Sequence, residues 1–194
     1  MKVIFTCGGT AGHVNPALAL AGYMRKKDPT VEVLFVGTPE GIERDLVAQA
    51  GYDYRGIAVG SLERSVSWEA IRHNCKSAWE MLALRRKTGA ILKEFPADLV
   101  VGTGGYASYP MVKYAALRGI PTAVHEANMI PGLTTKMLEK HASRIMVGFE
   151  ECRALYKHPE RIAVTGTPVR GDFFDLTHEE AKAALGMGKD EPLV

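Results

Sequence analysis

Seven short apolar runs alternate with helical patterns along this 194-residue chain, and glycine or proline marks most of the junctions. Lys2 to Thr6, Val31 to Val36, Tyr54 to Val59, Asp98 to Val101, Pro121 to His125, Arg144 to Val147 and Ile162 to Thr165 read as strands. Helical patterns fall between them: Ile42 to Ala50, a long one from an N-cap at Ser67 to about Phe95, Met111 to Leu117, Pro131 to His141 and Glu150 to Tyr156. Strand–helix–strand repetition requires crossovers, and crossovers make the sheet parallel with helices on both faces. The expected class is therefore α/β, a doubly wound, Rossmann-like parallel sheet.

The first junction carries the most chemistry. Cys7-Gly8-Gly9-Thr10-Ala11-Gly12-His13 follows the first strand, and Asn15-Pro16 reads as N-cap and first residue of the next helix. Ala17, Leu18, Leu20, Ala21 and Met24 give that helix its apolar face. Glycines let backbone amides approach a ligand closely, and a helix start adds partial positive charge. Such a turn suits an anion, most often a phosphate, and His13 stands at its mouth. A second glycine turn, Gly102-Thr103-Gly104-Gly105-Tyr106, follows the fourth strand. In a 3-2-1-4-5 strand order, strands one and four are neighbours, and their carboxyl ends flank the crevice where ligands bind. The dinucleotide fingerprint needs G-x-G-x-x-G and an acid ending the second strand. This chain has Gly-Gly-Thr-Ala-Gly-His, and its second strand ends Val36-Gly37-Thr38, which argues against NAD.

Composition bounds the rest. A net charge of +2 is too mild to argue for nucleic acid. No run approaches the ~20 apolar residues of a spanning helix. Cys7, Cys75 and Cys152 are odd in number and far apart, as expected of reduced thiols. Cys7 fits a buried strand end better than a nucleophile. His73, His141, His158 and His178 show no metal spacing and read as surface residues, and no Asp-x-Asp occurs.

Four motifs stand in order: Gly8-Gly9-Thr10-Ala11-Gly12-His13, Gly104-Gly105-Tyr106, His125-Glu126-Ala127-Asn128 and Gly166-Thr167-Pro168-Val169-Arg170. Together they resemble the N-terminal domain of glycosyltransferase family 28, in its peptidoglycan-synthesising branch. The resemblance implies a two-domain GT-B fold. Its N-terminal domain takes a lipid-linked acceptor, and its C-terminal domain supplies most of the UDP-sugar pocket. The implied reaction is inverting transfer of N-acetylglucosamine from UDP-GlcNAc to undecaprenyl-pyrophosphoryl-N-acetylmuramyl-pentapeptide (lipid I), giving lipid II. It implies no cofactor. It places the enzyme peripherally on the cytoplasmic face of the bacterial cell membrane.

By the same resemblance, Gly8, Gly9, Gly104, Gly105 and Tyr106 face the acceptor diphosphate. Thr10, Ala11, Gly12, Asn128 and Arg170 match donor contacts. Three departures stand out: Ala11 where glycine is usual, Ala127 for Gln and Thr167 for Asn. The attacking hydroxyl needs a base, and imidazole changes charge near neutral pH. His13 is the first candidate, with helix capping or phosphate binding as its other reading. Glu126 is the alternative base, or else a group that orients His125, substrate or a loop. Arg170 neutralises donor phosphate or stays solvated.

On the long helix, Ile71, Cys75, Ala78 and Leu82 form a core stripe. Trp68 and Trp79 lie at its edge with Arg72, Lys76 and Arg86, a pattern that suits an anionic membrane surface. Thr177 and Glu180 form a capping box, Gly186 stops that helix, and Glu191 to Val194 reads as a further strand. The expected organisation is an acceptor-binding domain over 1–172, then a linker helix and the start of a donor domain over 173–194. Two other readings stay open: a non-catalytic, membrane-recruiting subunit of a split transferase, and a diacylglycerol-type glycosyltransferase.

Overall fold

The computed structural model describes residues 1–58 and 83–192. Its centre is one seven-stranded, all-parallel sheet in the order β3-β2-β1-β4-β5-β6-β7. The strands are β1 (Lys2–Thr6), β2 (Glu32–Gly37), β3 (Asp53–Gly56), β4 (Leu99–Gly102), β5 (Thr122–Glu126), β6 (Arg144–Val147) and β7 (Ile162–Val164). The helices are α1 (Ala11–Lys27), α2 (Ile42–Gln49), α3 (83–94), α4 (Ser108–Leu117), α5 (Leu133–Leu138), α6 (Asp172–Asp175) and α7 (His178–Ala184). The doubly wound class is as expected.

Alternation along β1 explains the two layers. Val3 and Phe5 point to one face, where they join Val33, Phe35 and Val101 beneath Val14, Ala17, Leu18 and Ala21 of α1 and Val47 of α2. Ile4 points to the other face with Leu34, Val36, Val100, Val124 and Ile145, beneath α3, α4 and α5. A strand covered on both faces has no polar side, so β1 and β2 read as continuous apolar runs. Phe5 and Phe35 stack at 5.4 Å across the β1–β2 register pair.

Several helix boundaries differ from expectation. Helix α1 starts at Ala11 after an extended Thr10 (φ −149°, ψ 154°), so Asn15 is an exposed helical residue and not the N-cap. Pro16 lies inside α1 and leaves the solvent-exposed Gly12 without its amide partner. The turn is completed by Gly9 at φ +89°, which outweighs the local capping preference of Asn15. Helix α4 starts at Ser108, three residues early. It accommodates Pro110 because the first amides of a helix have no internal acceptor. Helix α5 is shorter than the 131–141 pattern. The Glu150–Leu155 turn is 3₁₀. His141 is half-buried and not a surface residue.

The Thr177–Glu180 capping box forms as read: the Glu180 amide donates to Thr177 Oγ1 at 3.2 Å and the Thr177 amide to Glu180 Oε2 at 2.8 Å. Trp68, Arg72, Lys76 and Trp79, the apolar stripe from Ile71 to Leu82, and the end of the strand proposed from Glu191 lie outside the described residues. Arg86 is exposed on α3.

Candidate functional site

Because β1 and β4 are hydrogen-bonded neighbours, the two glycine turns leave the same sheet edge side by side. They touch. Gly105 (φ +77°) rests on the Gly8 carbonyl with no space for a Cβ. A Cβ on Gly104 (φ +110°) would lie 2.5 Å from His13 Cδ2 and 2.9 Å from its Nε2. Hydroxyls fasten the pair. Thr103 Oγ1 donates to the His13 carbonyl at 2.6 Å, and Ser108 Oγ lies 2.8 Å from the Thr6 carbonyl and 2.6 Å from that of Gly104.

His13 sits in the first turn of α1. Its Nδ1 is 2.9 Å from the Gly8 carbonyl and 3.3 Å from Thr10 Oγ1. A carbonyl only accepts, so Nδ1 carries the proton and the Nε2 lone pair is left facing the second turn. Among the described residues, no group accepts from the amides of Thr10, Ala11 and Gly12, nor from those of Gly104, Gly105, Tyr106 and Ala107. These amides and the start of α1 form a basin suited to an anion. Ala11 is helical, and among the described residues no non-glycine residue has positive φ, so its departure from glycine costs no backbone strain. Tyr106 is half-exposed and lines a cleft of about 570 Å³ with Gly9, Thr38, Pro39, Gly41 and Ala58.

The Gly9 amide faces away from that basin. It donates to Glu43 Oε2 at 3.4 Å, while Glu43 Oε1 accepts from the Thr38 amide at 2.8 Å and hydroxyl at 2.6 Å. Glu43 is fully buried. Burial pushes its carboxyl up, but the Thr38 and Gly9 donors outweigh this and hold it below its ordinary value. Burial, then the nearby Glu43 charge, pushes the Cys7 thiol up to about 12, which excludes a thiolate nucleophile at neutral pH. Sequence reasoning missed Glu43. The available signal was the pair of glycines, Gly8 and Gly41, that leave its carboxylate room, with Gly37 clearing space for its Cγ, the Tyr54 hydroxyl and the Cys7 carbonyl.

At the end of β5, Glu126 is buried and fully engaged. Oε1 accepts from the Asn128 amide at 3.0 Å and side chain at 2.8 Å. Oε2 accepts from the Gly132 amide at 2.9 Å and Thr135 Oγ1 at 2.8 Å. His125, only 1% exposed, bonds the Gly166 carbonyl through Nε2 at 3.1 Å. Burial lowers its pKa against the smaller opposing effects of Gly166 and Glu126, so the imidazole is neutral. This bond ties the 125–128 motif to the 166–170 motif, which ends at the exposed Arg170. All four motifs therefore share one sheet edge. Glu126 nevertheless ends β5 while His13 lies in the helix that follows β1, and β4 stands between those two strands, which are two strand spacings or roughly 10 Å apart.

The model of the glycosyltransferase family 28 N-terminal domain matches residues 3–147. A relative from Alkaliphilus oremlandii, named UDP-N-acetylglucosamine–N-acetylmuramyl-(pentapeptide) pyrophosphoryl-undecaprenol N-acetylglucosamine transferase, is 39% identical over 194 residues, covering 100% of this chain and 52% of the relative. A relative of the same name from Desulfitobacterium hafniense is 42% identical over 193 residues, covering 98% and 50%. The chain thus spans about half the length of the curated relatives it matches. The crystal structure of Acinetobacter baumannii MurG superposes with a TM-score of 0.69 at 25% identity, covering 87% of this chain and 46% of that one. Anabaena Alr3699/HepE in complex with UDP shares the fold, with a TM-score of 0.62 at 13% identity, covering 96% and 50%. On this match to most of its length, the chain belongs to glycosyltransferase family 28 and carries that family's N-terminal domain.

Proposed function

We propose that this chain is the acceptor-binding half of an inverting N-acetylglucosaminyltransferase that converts undecaprenyl-pyrophosphoryl-N-acetylmuramyl-pentapeptide to lipid II. The observation that carries the proposal is the His13 Nε2 lone pair held beside two sets of unpaired amides. The acceptor diphosphate occupies the side of the basin formed by the amides of Gly104 to Ala107, and the amides of Thr10 to Gly12 face the donor. The muramyl 4-hydroxyl loses its proton to His13 Nε2 as its oxygen bonds the anomeric carbon from the face opposite UDP. The departing diphosphate takes the electron pair, and its charge is met by the helix α1 start, Arg170 and the donor domain. Asn128 presents its free carboxamide oxygen to the donor. Glu126, whose oxygens already accept four hydrogen bonds, shapes the 127–132 loop and takes no proton. We assign residues 1–172 to the acceptor domain and 173–194 to the link with the donor half.

The proposed location is the cytoplasmic membrane surface. Lys136, Lys140, Lys157 and His158 line a second cavity of about 480 Å³ with Glu139, whose carboxylate accepts from the His158 amide, and Lys113 bonds the Tyr109 hydroxyl at 3.1 Å. Met137, partly exposed, lines the same cavity, and Ile130 and Leu133 are exposed on the preceding loop and helix start. Cations beside apolar side chains suit an anionic lipid surface. Among the described residues no helix is long and apolar enough to cross a membrane.

The test is His13→Ala in a protein that joins this domain to a donor domain. The expected result is a fall in kcat of roughly 10²–10⁴-fold with little change in acceptor KM. Turnover near wild type removes His13 as the base.

A further inference from the structure

The buried Glu43 carboxylate and the His13 imidazole are joined by a single peptide plane. The Gly9 N–H that reaches Glu43 Oε2 at 3.4 Å and the Gly8 carbonyl that receives His13 Nδ1–H at 2.9 Å belong to the same amide unit. We propose that Glu43 is a positioning residue for His13, acting through the Gly8–Gly9 peptide to fix the Nδ1–H tautomer and leave Nε2 as acceptor. This deepens the role given above to His13 and rests on it for its catalytic meaning.

First, hydrogen bonds in a chain polarise one another, so an anion on the peptide N–H makes its carbonyl a better acceptor. Free imidazole has no such partner; here the carbonyl holds the proton on Nδ1 and orients the ring. Second, the carboxylate is built in. It has zero exposure, its Oε1 is fixed by the Thr38 amide and hydroxyl, and the Tyr54 hydroxyl donates to the Thr38 carbonyl at 2.7 Å. Among the described residues no cation pairs with it. Third, the surroundings are shaped for it. A Cβ on Gly8 would lie 3.0 Å from Glu43 Oε1, one on Gly37 would lie 2.8 Å from Glu43 Cγ, and one on Gly41 would overlap the carboxylate. A carboxylate that serves an imidazole directly needs contact between the two side chains. The intervening peptide here lets the carboxylate stay dry on the α2 side while the imidazole faces the cleft.

The experiment is nitrogen NMR of the His13 ring in the 194-residue chain, which needs no turnover. At slightly alkaline pH the wild type is expected to show a protonated Nδ1 and a bare Nε2, with the Gly9 amide proton shifted downfield. Glu43→Gln keeps the size but loses the charge. It is expected to move the His13 signals toward the Nε2–H form that free histidine prefers and to return the Gly9 amide upfield. An unchanged His13 tautomer in folded Glu43→Gln overturns the proposal. If that variant does not fold, the wild type alone decides: an Nε2–H ring, or a Gly9 amide at an ordinary shift, overturns it, and the opposite pair supports it. The two readings fail separately. If His13→Ala leaves turnover intact while the tautomer still follows Glu43, the positioning stands and the base assignment falls.

Discussion

At the scale of single residues, the sharpest contrast is between the two histidines of the sheet edge. Among the described residues, the outward nitrogen of His13 has no partner, whereas His125 is buried and directs Nε2–H into the Gly166 carbonyl. Among the same residues, His125 Nδ1 has no hydrogen-bond partner. A proton added there would be dry and uncompensated. The folded pKa of His125 is accordingly lowered from its ordinary 6.5, mainly by burial. The unfolded chain then binds that proton more readily than the folded one. Stability is complete above about pH 6.5 and is lost as pH falls below it, at up to about 1.4 kcal/mol per pH unit. His141, lowered by burial and then by Lys113 and Lys140, adds in the same direction. Urea unfolding between pH 7.5 and 5 checks this. The expected result is a midpoint that drops with pH in the wild type and drops less steeply in His125→Gln; equal slopes reject the assignment. Glu43 shows why part of the site was hidden in the sequence. An acid in the first turn of a short helix reads as a solvated favourable charge. Only the clearance supplied by Gly8, on the β1–α1 turn, and by Gly37 and Gly41, on the turn that leads into α2 itself, turns it into a buried one.

At the scale of elements, the strands were legible because a sheet covered on both faces leaves a simple record: short apolar runs bounded by turn residues. β1 and β6 fall where the pattern puts them, and the observed order β3-β2-β1-β4-β5 is the common doubly wound one that the sequence reading assumed. Helix starts were harder, because Asn15-Pro16 is a good local signal that the Gly9 turn overrides. The meeting of the two glycine turns is an element-level property with its own test. Gly105 and Gly119 have nearly the same backbone, φ +77° and +74°, but only Gly105 lacks space, pressed on Gly8. Gly119→Ala therefore suffers the left-handed penalty alone, about 1 kcal/mol. Gly105→Ala must also part the turns. It is expected to cost about 1–3 kcal/mol more and to weaken binding of a diphosphate-bearing acceptor analogue. Thermal unfolding of both variants, with isothermal titration of the analogue, measures the difference. Equal losses would mean that the turns do not depend on their contact.

At the scale of the whole molecule, the proposed function asks one sheet edge to hold an acceptor and to meet only part of a nucleotide sugar. The amides of Gly104 to Ala107 and His13 answer a diphosphate and a hydroxyl. For the donor, the same reading names Thr10, Ala11 and Gly12 with Asn128 and the exposed Arg170. The relatives are about twice as long, which fits a site completed from beyond this chain. Transfer requires both the base and the leaving group to be held in one geometry, and orientation of the two partners is worth several kcal/mol of barrier. A domain that orients only the acceptor forgoes that contribution. The 194-residue chain is therefore expected to bind the lipid-linked acceptor yet form no detectable lipid II from labelled UDP-GlcNAc. Transfer is expected once a donor domain is joined to it. The decisive comparison is the rate with and without that domain at saturating acceptor. Brisk transfer by the 194 residues alone would mean that this sheet edge already holds the whole site.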